Sequence, residues 1–279
     1  MTLSVVIITF NEEANLPRTL ESVMWADEII VVDSLSTDRT VAIARSFGAK
    51  VFVEPWKGFA AQKNSALEKA TGDWILSLDA DEEVSAELKD EIKALFQYGN
   101  LAETRAWCLT MGGGDRDALD YLKGKPSGYF VPRKNFFLGR WIHRGGFYPD
   151  PKLRFFARGF GQFEDRAVHE DVKVDGATAK LRAPLLHHAY PTLSSYIEHM
   201  NRYSSLGAEM AVTKRRHSFS LVNIILRPLF TFIYNYVFRL GFLDGREGLL
   251  LHLYHSGYVS WKYAKAWELS RKRQDTNGR

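Results

Sequence analysis

The first hundred residues alternate between short apolar runs and amphipathic segments, and this alternation constrains the fold more than any other feature. Four runs are rich in β-branched residues and have the length of buried strands: 3–10, 27–33, 50–54 and 74–78. Apolar residues at helical spacing lie between them, as at Leu16, Leu20 and Val23. Because strands that alternate with helices in this way form βαβ units, the sequence predicts an α/β fold with a Rossmann-like, mostly parallel sheet.

The pattern changes after residue 100. Short aromatic strands and loops, expected from about 105 to 190, predict a second sub-domain of mixed structure. From 192 to 213 apolar residues recur at steps of three and four, which predicts an amphipathic helix with Thr192 near its N-terminal cap. The expected divisions of the chain are therefore 1–100, 101–191 and a helical region over 192–279.

The most hydrophobic segment is 218–243, and it is interrupted by polar residues and a proline. The interruptions are Arg227, Pro228, Asn235 and Arg239. No charge-free run therefore approaches the roughly 20 apolar residues that span a bilayer. Two interpretations stand: a helical pair buried in the protein, or helices lying in a membrane interface. The basic triplet 214–216 and the many aromatic residues favour the interface.

An acidic cluster directly follows the apolar run 74–78. Asp79, Asp81, Glu82 and Glu83 fall within five residues. Residues at the carboxyl ends of parallel strands form the ligand crevice of open α/β sheets, and clustered carboxylates there need a counter-charge such as a divalent cation. The alternative is a solvated turn in which Glu82, Glu83 and Ser85 open the next helix. The two interpretations are compatible if Asp81 holds the metal.

Polar residues also end the first two predicted strands, namely Thr9, Asn11 and Glu12 after the first and Asp33 in the second. Neither GxGxxG nor a P-loop is found there, which argues against a dinucleotide oxidoreductase and against a phosphate-cradling NTPase. The single cysteine, Cys108, excludes a disulfide within the chain and a cysteine-type metal site.

Four motifs, in this order and spacing, resemble the inverting glycosyltransferases of family 2, which have the GT-A fold. They are Val-Val-Ile-Ile-Thr-Phe-Asn-Glu-Glu (5–13), Val-Val-Asp-Ser-Leu-Ser-Thr-Asp (31–38), Gln-Lys-Asn-Ser-Ala-Leu (62–67) and Leu-Asp-Ala-Asp-Glu (78–82). The later half is similar to the branch that adds sugars to lipopolysaccharide inner core, through segments that include Gly-Gly-Phe-Tyr-Pro-Asp (145–150), Lys-Leu-Arg-Phe-Phe (152–156), Val-His-Glu (168–170) and Asn-Arg-Tyr-Ser (201–204). Two departures are Leu35, where many relatives carry glycine, and the segment 112–127, which does not align.

The resemblance implies roles for the residues at the strand ends. Thr9, Asn11, Glu12 and Asp33 would hold the uridine, Asp33 by accepting a hydrogen bond from the uracil N3–H. Asp79 would lie near the ribose or the water shell of the metal, and Asp81 would bind the Mg²⁺ or Mn²⁺ that bridges the diphosphate. A hard divalent ion that keeps several waters needs only one or two carboxylates besides the diphosphate.

Two basic residues and one acid complete the implied site. Lys63 either adds a cation to the crevice or lies on a helix surface, and Arg154 either contacts phosphate or pairs with an acidic side chain. Inversion by direct displacement needs one general base. The resemblance assigns that base to Glu170 in Val-His-Glu-Asp, with Asp171, Glu164 and Asp165 as rivals and a surface acidic turn as the alternative.

The resemblance thus predicts that the protein is a metal-dependent inverting glycosyltransferase. The enzyme is expected to move a hexose, with glucose as the expected sugar, from a UDP-sugar donor to a lipid-linked glycan acceptor such as lipopolysaccharide core. The reaction is expected at the inner face of the cytoplasmic membrane. Residues 1–100 would bind the donor, 101–191 the acceptor, and 192–279 the membrane surface; no nucleic acid partner is expected. The alternatives are a transferase acting on polyprenyl phosphate, a non-catalytic nucleotide-sugar-binding scaffold and a sugar nucleotidyltransferase.

Overall fold

A computed structural model describes residues 1–97, 126–164, 172–213 and 219–277, and these form two compact units. The first unit contains 1–97, 126–133, 151–164 and 172–187, and the second contains 134–150, 188–213 and 219–277. Glu170 and its rivals Asp165 and Asp171 lie outside the described residues, as do most of the segment 112–127 and the basic triplet 214–216.

The secondary structure elements are numbered in chain order. The strands are β1 (Leu3–Thr9), β2 (Glu28–Asp33), β3 (Lys50–Val53), β4 (Trp74–Asp79), β5 (Glu82–Val84), β6 (Gly128–Val131), β7 (Arg133–Phe137), β8 (Arg140–Trp141), β9 (Lys152–Ala157), β10 (Gly161–Phe163), β11 (Val172–Val174), β12 (Thr178–Lys180) and β13 (Leu185–Tyr190). The α-helices are α1 (Leu16–Val23), α2 (Thr40–Ser46), α3 (Phe59–Lys69), α4 (Ala86–Gln97), α5 (Leu193–Thr213), α6 (Arg227–Ile233) and α7 (Gly245–Asn277). Two π-helical turns, Val222–Leu226 and Tyr234–Phe238, flank α6, and a 3₁₀ turn, Gly241–Asp244, precedes α7.

Seven strands of the first unit form one sheet in the order β12-β6-β9-β4-β1-β2-β3. The neighbours β4-β1-β2-β3 are all parallel, and β9 runs antiparallel to both β4 and β6. The register pairs Thr9 with Asp33 and Ile8 with Asp79, so these three strands end at one edge of the sheet. This arrangement confirms the predicted α/β fold with a mostly parallel sheet.

Helix α1 shows how the local pattern builds the core of the first unit. Its residues Leu16, Leu20 and Val23 are completely buried, as their helical spacing predicts, and they pack with sheet residues such as Val5. Fully burying a side chain of this size stabilises the fold by about 1.5–3 kcal/mol. The packing of α1 holds the loop after β1 in place at the carboxyl edge.

The acidic cluster does not open the next helix in the way the sequence predicts. Glu82 and Glu83 lie in β5, which pairs antiparallel with the first half of β13. The helix α4 begins at Ala86, and Ser85 caps it by accepting a hydrogen bond from the Leu88 backbone N–H at 3.1 Å. The prediction was wrong for the two glutamates because their partner strand is about a hundred residues away in the sequence.

In the second unit, α5 begins where the sequence predicts. The Thr192 hydroxyl accepts a hydrogen bond from the Ser195 backbone N–H at 3.1 Å, which is an N-terminal cap. Further along α5, the motif 201–204 binds Lys265 of α7. The ammonium donates to the Asn201 carbonyl at 2.8 Å and to the Ser204 hydroxyl at 2.7 Å. The motif therefore ties two helices of this unit together.

The hydrophobic segment is largely exposed. Phe238 has 71% of its surface exposed, Phe230 65% and Leu221 62%. These values contradict the interpretation that the segment is a helical pair buried within the protein. None of the helices in the described ranges combines the length and the apolarity that crossing a membrane requires.

Candidate functional site

The ends of β1 and β2 are joined through the carboxylate of Asp33, which is completely buried. The Thr9 hydroxyl donates to Asp33 Oδ1 at 2.9 Å, and the Ser36 backbone N–H donates to Oδ2 at 2.8 Å. The same carboxylate accepts from the Ser36 hydroxyl at 2.5 Å. Asp33 therefore organises the turn that follows β2, and its contact with uracil stays a prediction.

Two residues on the adjoining turns have left-handed backbone conformations, Asn11 with φ 53° and Leu35 with φ 63°. Asparagine tolerates this region, and its side chain accepts a hydrogen bond from the Thr37 N–H at 2.9 Å. Leucine does not tolerate it well, at a cost of about 1–2 kcal/mol. Glycine adopts the conformation freely, which gives a physical reason for the glycine expected at position 35 in similar sequences.

Glu12 follows β1 and is surrounded by acidic residues. Burial is the main cause that raises its pKa, opposed by a hydrogen bond from Asn15, and the charges of Asp81, Asp38 and Asp79 raise the pKa further. Carboxylates that raise the pKa of a neighbour repel one another, so additional positive charge at this edge would stabilise their ionised forms.

Asp79, at the end of β4, is held by two buried cations. Lys63 of α3 lies 2.8 Å from Asp79 Oδ1, and Arg154 of β9 bonds to Oδ2. Burial alone would raise the pKa of Asp79, but attraction to Arg154 and Lys63 outweighs it and keeps that pKa well below its ordinary value. Lys63 is thus a buried member of the site and does not lie on the helix surface.

Glu82 is a member of this edge that the sequence analysis did not place in the site. It is completely buried, and its Oε1 accepts hydrogen bonds from Arg154 at 2.8 Å and from Arg133 at 3.1 Å. Its Oε2 accepts from the Asp79 backbone N–H at 3.0 Å. Glu82 therefore orients both the side chain that binds Asp79 and the backbone of Asp79 itself. Arg133 and Arg154 together more than neutralise the negative charge of Glu82.

Asp81 differs from Asp79 in its partner, which is a histidine instead of a lysine and an arginine. A quarter of the side-chain surface is exposed, and Oδ2 lies 3.4 Å from Nε2 of His187. Burial raises the pKa of Asp81, but attraction to and a hydrogen bond with His187, together with a backbone hydrogen bond, bring that pKa below its ordinary value. The charge and the exposed oxygen fit a hard divalent ion, which prefers oxygen ligands. In the described part of the chain, no three His, Cys, Asp or Glu side chains form a complete metal site, so such an ion would need ligand oxygens as well.

The structure thus brings most of the predicted residues to one edge of the first unit. Thr9, Asn11, Glu12, Asp33, Lys63, Asp79, Asp81 and Arg154 all follow or flank the strands that end there. Arg133 and His187 join them, although neither carries a motif. Their pairing with acidic residues is the only signal for them, and it appears only after folding.

The amino-acid sequence matches the model of glycosyl transferase family 2 over residues 4–158, which is more than half of the chain. An uncharacterized glycosyltransferase of Rickettsia typhi is 32% identical over 97% of this chain and 88% of its own length. The lipopolysaccharide core biosynthesis glycosyltransferase LpsC of Rhizobium meliloti is 29% identical over 87% of this chain and 82% of its own length.

Among solved structures, the mannosyltransferase PcManGT of Pyrobaculum calidifontis, in complex with GDP-Man and Mn²⁺, covers 95% of this chain and 86% of its own. Its TM-score of 0.48 at 15% identity is too low to define shared details. The sequence relationships are closer, since the family match spans the four motifs of residues 5–82 and the Rickettsia typhi relative matches nearly the whole chain. The chain is therefore a glycosyltransferase and belongs to glycosyl transferase family 2.

Proposed function

We propose that this enzyme transfers a hexose, with glucose as the favoured sugar, from a UDP-sugar to a lipid-linked glycan such as lipopolysaccharide core. The transfer inverts the configuration at the anomeric carbon and depends on a divalent metal. The observation that carries the proposal is the partly exposed Asp81 carboxylate beside the acidic residues Glu12 and Asp79. The similarity to LpsC, a lipopolysaccharide core glycosyltransferase, supports the acceptor class.

The donor diphosphate needs both metal and protein charge. Asp81 would hold Mg²⁺ or Mn²⁺, which stabilises the negative charge developing on the leaving diphosphate. Lys63 and Arg154 line the same edge through their contacts with Asp79. Their positive charges offset those of Asp79 and Glu82, and Arg133 adds a further positive charge that would attract phosphate oxygens.

The transfer itself is a direct displacement. The acceptor hydroxyl oxygen forms a bond to the anomeric carbon while the bond from that carbon to the UDP oxygen breaks. Glu170 takes the hydroxyl proton, and UDP leaves with the electron pair of the broken bond. A positioned base of this kind typically contributes a factor of about 10²–10⁴ to the rate.

A panel of donors with a core-oligosaccharide acceptor tests this function. We expect UDP release from one UDP-hexose, dependent on the acceptor and abolished when EDTA removes the metal. A polyprenyl phosphate acceptor is the matched alternative, because it would share the donor side. Release of pyrophosphate from UTP, or no transfer from any UDP-sugar, would contradict the proposal.

We further propose that the exposed segment of the second unit lies on an anionic membrane surface. Its large apolar side chains include Leu221, Ile225, Phe230 and Phe238, each at least 55% exposed. From 218 to 243 the sequence contains no acidic residue. The guanidinium carbon of Arg227 lies 5.1 Å from the centre of the Tyr263 ring. Basic and aromatic side chains together are typical of helices that lie at the level of lipid head groups. A basic residue near such a surface contributes about 1 kcal/mol of binding.

Replacing both Phe230 and Phe238 with serine should weaken binding to vesicles containing phosphatidylglycerol at least tenfold. Each phenylalanine contributes about 1.5 kcal/mol or more when it leaves water. Vesicle co-sedimentation measures the change. Phe160→Ser is the control, because Phe160 is 49% exposed but belongs to the first unit. Equal vesicle binding by the double variant and the wild type would rule this surface out.

A further inference from the structure

Asp244, which follows the hydrophobic segment, binds the backbone of a loop 100 residues earlier in the second unit. Asp244 is buried, and its carboxylate accepts hydrogen bonds from the N–H of Arg144 at 2.7 Å and from the N–H of His143 at 3.3 Å. The next N–H of the loop, on Gly145, donates to the Arg239 carbonyl at 3.0 Å. Three hydrogen bonds of the loop backbone therefore hold it against the end of the hydrophobic segment, and we call this contact the loop junction.

Packing leaves the loop junction little freedom to move. The ring of His252, a buried residue of α7, occupies the space where a Cβ atom at Gly145 or at Gly241 would lie. The guanidinium of Arg239 likewise lies where a Cβ atom at Gly146 would be. Side chains that fill the space above three glycines fix the two parts of the chain together, because close-packed groups cannot shift independently.

Four exposed arginines lie along the loop junction. They are Arg140, Arg144, Arg239 and Arg246, which we call the arginine cluster. A Cβ atom at Gly245 would lie 3.2 Å from Nη1 of Arg140, and Glu247 lies 3.7 Å from the same nitrogen. No other acidic side chain that the structure describes forms an ion pair with the cluster. The four positive charges therefore exceed the negative charges of Asp244 and Glu247.

Exposed apolar side chains alternate with the arginine cluster along the chain. Phe238 and Leu240 flank Arg239, and Phe242 and Leu243 follow, each at least 41% exposed. These residues belong to the hydrophobic segment, for which we propose contact with a membrane surface. When such side chains enter the surface, neighbouring guanidinium groups lie at the level of the head groups, where the anions are phosphates.

The fixed arrangement distinguishes a binding site from general attraction to lipid. Attraction of basic residues to anionic lipid requires net charge and no particular geometry. The arginine cluster instead draws on parts of the chain that are distant in sequence and are held together by buried contacts. Preorganised groups lose less entropy when they bind one partner, and a guanidinium can donate two parallel hydrogen bonds to a phosphate.

We propose that the arginine cluster is an acceptor subsite, which binds a phosphate group on the membrane-proximal part of the lipid-linked glycan. The inference rests on the proposed function, in which the acceptor is lipid-linked. Arg144 and Arg246 are the principal donors. Arg140 is engaged with Glu247, and the guanidinium of Arg239 already covers a glycine of the loop.

Replacing Arg144 and Arg246 together with glutamine should raise the KM for a phosphate-bearing core oligosaccharide at least about tenfold, because two charge-assisted contacts are lost. The oligosaccharide is deacylated and used in solution, so membrane binding does not contribute. Both residues belong to the second unit, whereas the predicted donor residues belong to the first. The kcat and the KM for the UDP-sugar should therefore stay within about twofold of the wild type.

The decisive comparison uses the same oligosaccharide after phosphatase treatment. The KM of the wild type should rise by the same factor, and the double variant should then cause no further change. Effects of the variant and of the phosphatase that multiply would overturn the proposal. An unchanged KM in either the double variant or the phosphatase arm alone would also overturn it, and the second result does not depend on how the variant folds.

A control variant and a vesicle assay separate this subsite from charge in general. Arg202→Gln, at an exposed position of α5 in the same unit, should behave as the wild type. A double variant that loses binding to phosphatidylglycerol vesicles but keeps its KM for the soluble oligosaccharide would assign the cluster to lipid head groups and overturn the subsite. Thermal melting verifies that each variant folds.

The outcomes also distinguish this inference from the proposed function. No transfer by the wild type to any acceptor overturns the proposed function. Transfer by the wild type that is equally efficient with the phosphorylated and the phosphatase-treated oligosaccharide overturns the subsite alone, while glycosyl transfer to the core oligosaccharide stands.

Discussion

Glu170→Gln is expected to lower kcat for transfer about 10³-fold, because glutamine has the same shape as glutamate but cannot accept the proton of the acceptor hydroxyl. Donor binding does not use this proton. The affinity for UDP, measured by calorimetry with metal present, should therefore stay within twofold of the wild type. The combination of a lost rate and retained donor binding identifies a base that acts in the transition state.

The matched control for this variant is Glu164→Gln, in the same connection of the chain. Glu164 lies 3.8 Å from Lys173, and an exposed ion pair of this kind contributes less than about 1 kcal/mol. Its replacement should leave both kcat and stability near the wild-type values. A fully active Glu170→Gln would instead move the assignment to Asp171 or Glu164, and the two single variants would then decide between them.

Asp81→Ala is expected to remove the metal-dependent part of UDP binding and leave the fold intact. In the wild type, EDTA should weaken UDP binding at least tenfold, since a divalent ion held by Asp81 would supply positive charge to the diphosphate. In Asp81→Ala the affinity should already equal the EDTA value, and EDTA should change nothing further. Calorimetry with and without Mn²⁺ measures both. A variant that still responds to Mn²⁺ would show that the metal binds elsewhere.

Asp79→Ala is the matched comparison, and its expected result differs for a structural reason. Removing Asp79 deprives Lys63 and Arg154 of the carboxylate that both bind, and among the described residues Arg154 then keeps its ion pair with Glu82. Breaking a buried ion pair costs about 3–5 kcal/mol. Here we expect about 2 kcal/mol, because Asp79 keeps a third of its surface in water. Chemical denaturation should show this loss for Asp79→Ala and a smaller one for Asp81→Ala.

Much of the carboxyl edge of the first unit's sheet is predictable because it depends on local patterns. The β-branched runs, the helical spacing of Leu16 and Leu20, and polar residues at strand ends each define an element within about ten residues. Parallel topology then gathers the ends of β1, β2 and β4 at one edge, whatever the details of packing. Thr9, Asp33 and Asp79 are therefore predictable from order and spacing alone.

Other features depend on residues that are distant in the sequence. Glu82 looks like the start of a helix until β13 pairs with β5, and its arginine partners lie 51 and 72 residues away. Composition does not determine the exposure of Phe230 and Phe238 either. The same apolar pattern occurs in a helix that packs against its own protein and in a helix that faces outward.

The sequence by itself therefore determined the α/β class, which strands end in polar residues, and the family. Each of these follows from short-range patterns and from the order of the motifs. Only the tertiary structure decided how the charges are paired. In the folded protein Lys63 is buried against Asp79, Arg154 pairs with both Asp79 and Glu82, and Asp81 stays partly open to solvent. The physical reason is that pairing and burial are set by the through-space approach of separate strands and helices, which local sequence does not encode.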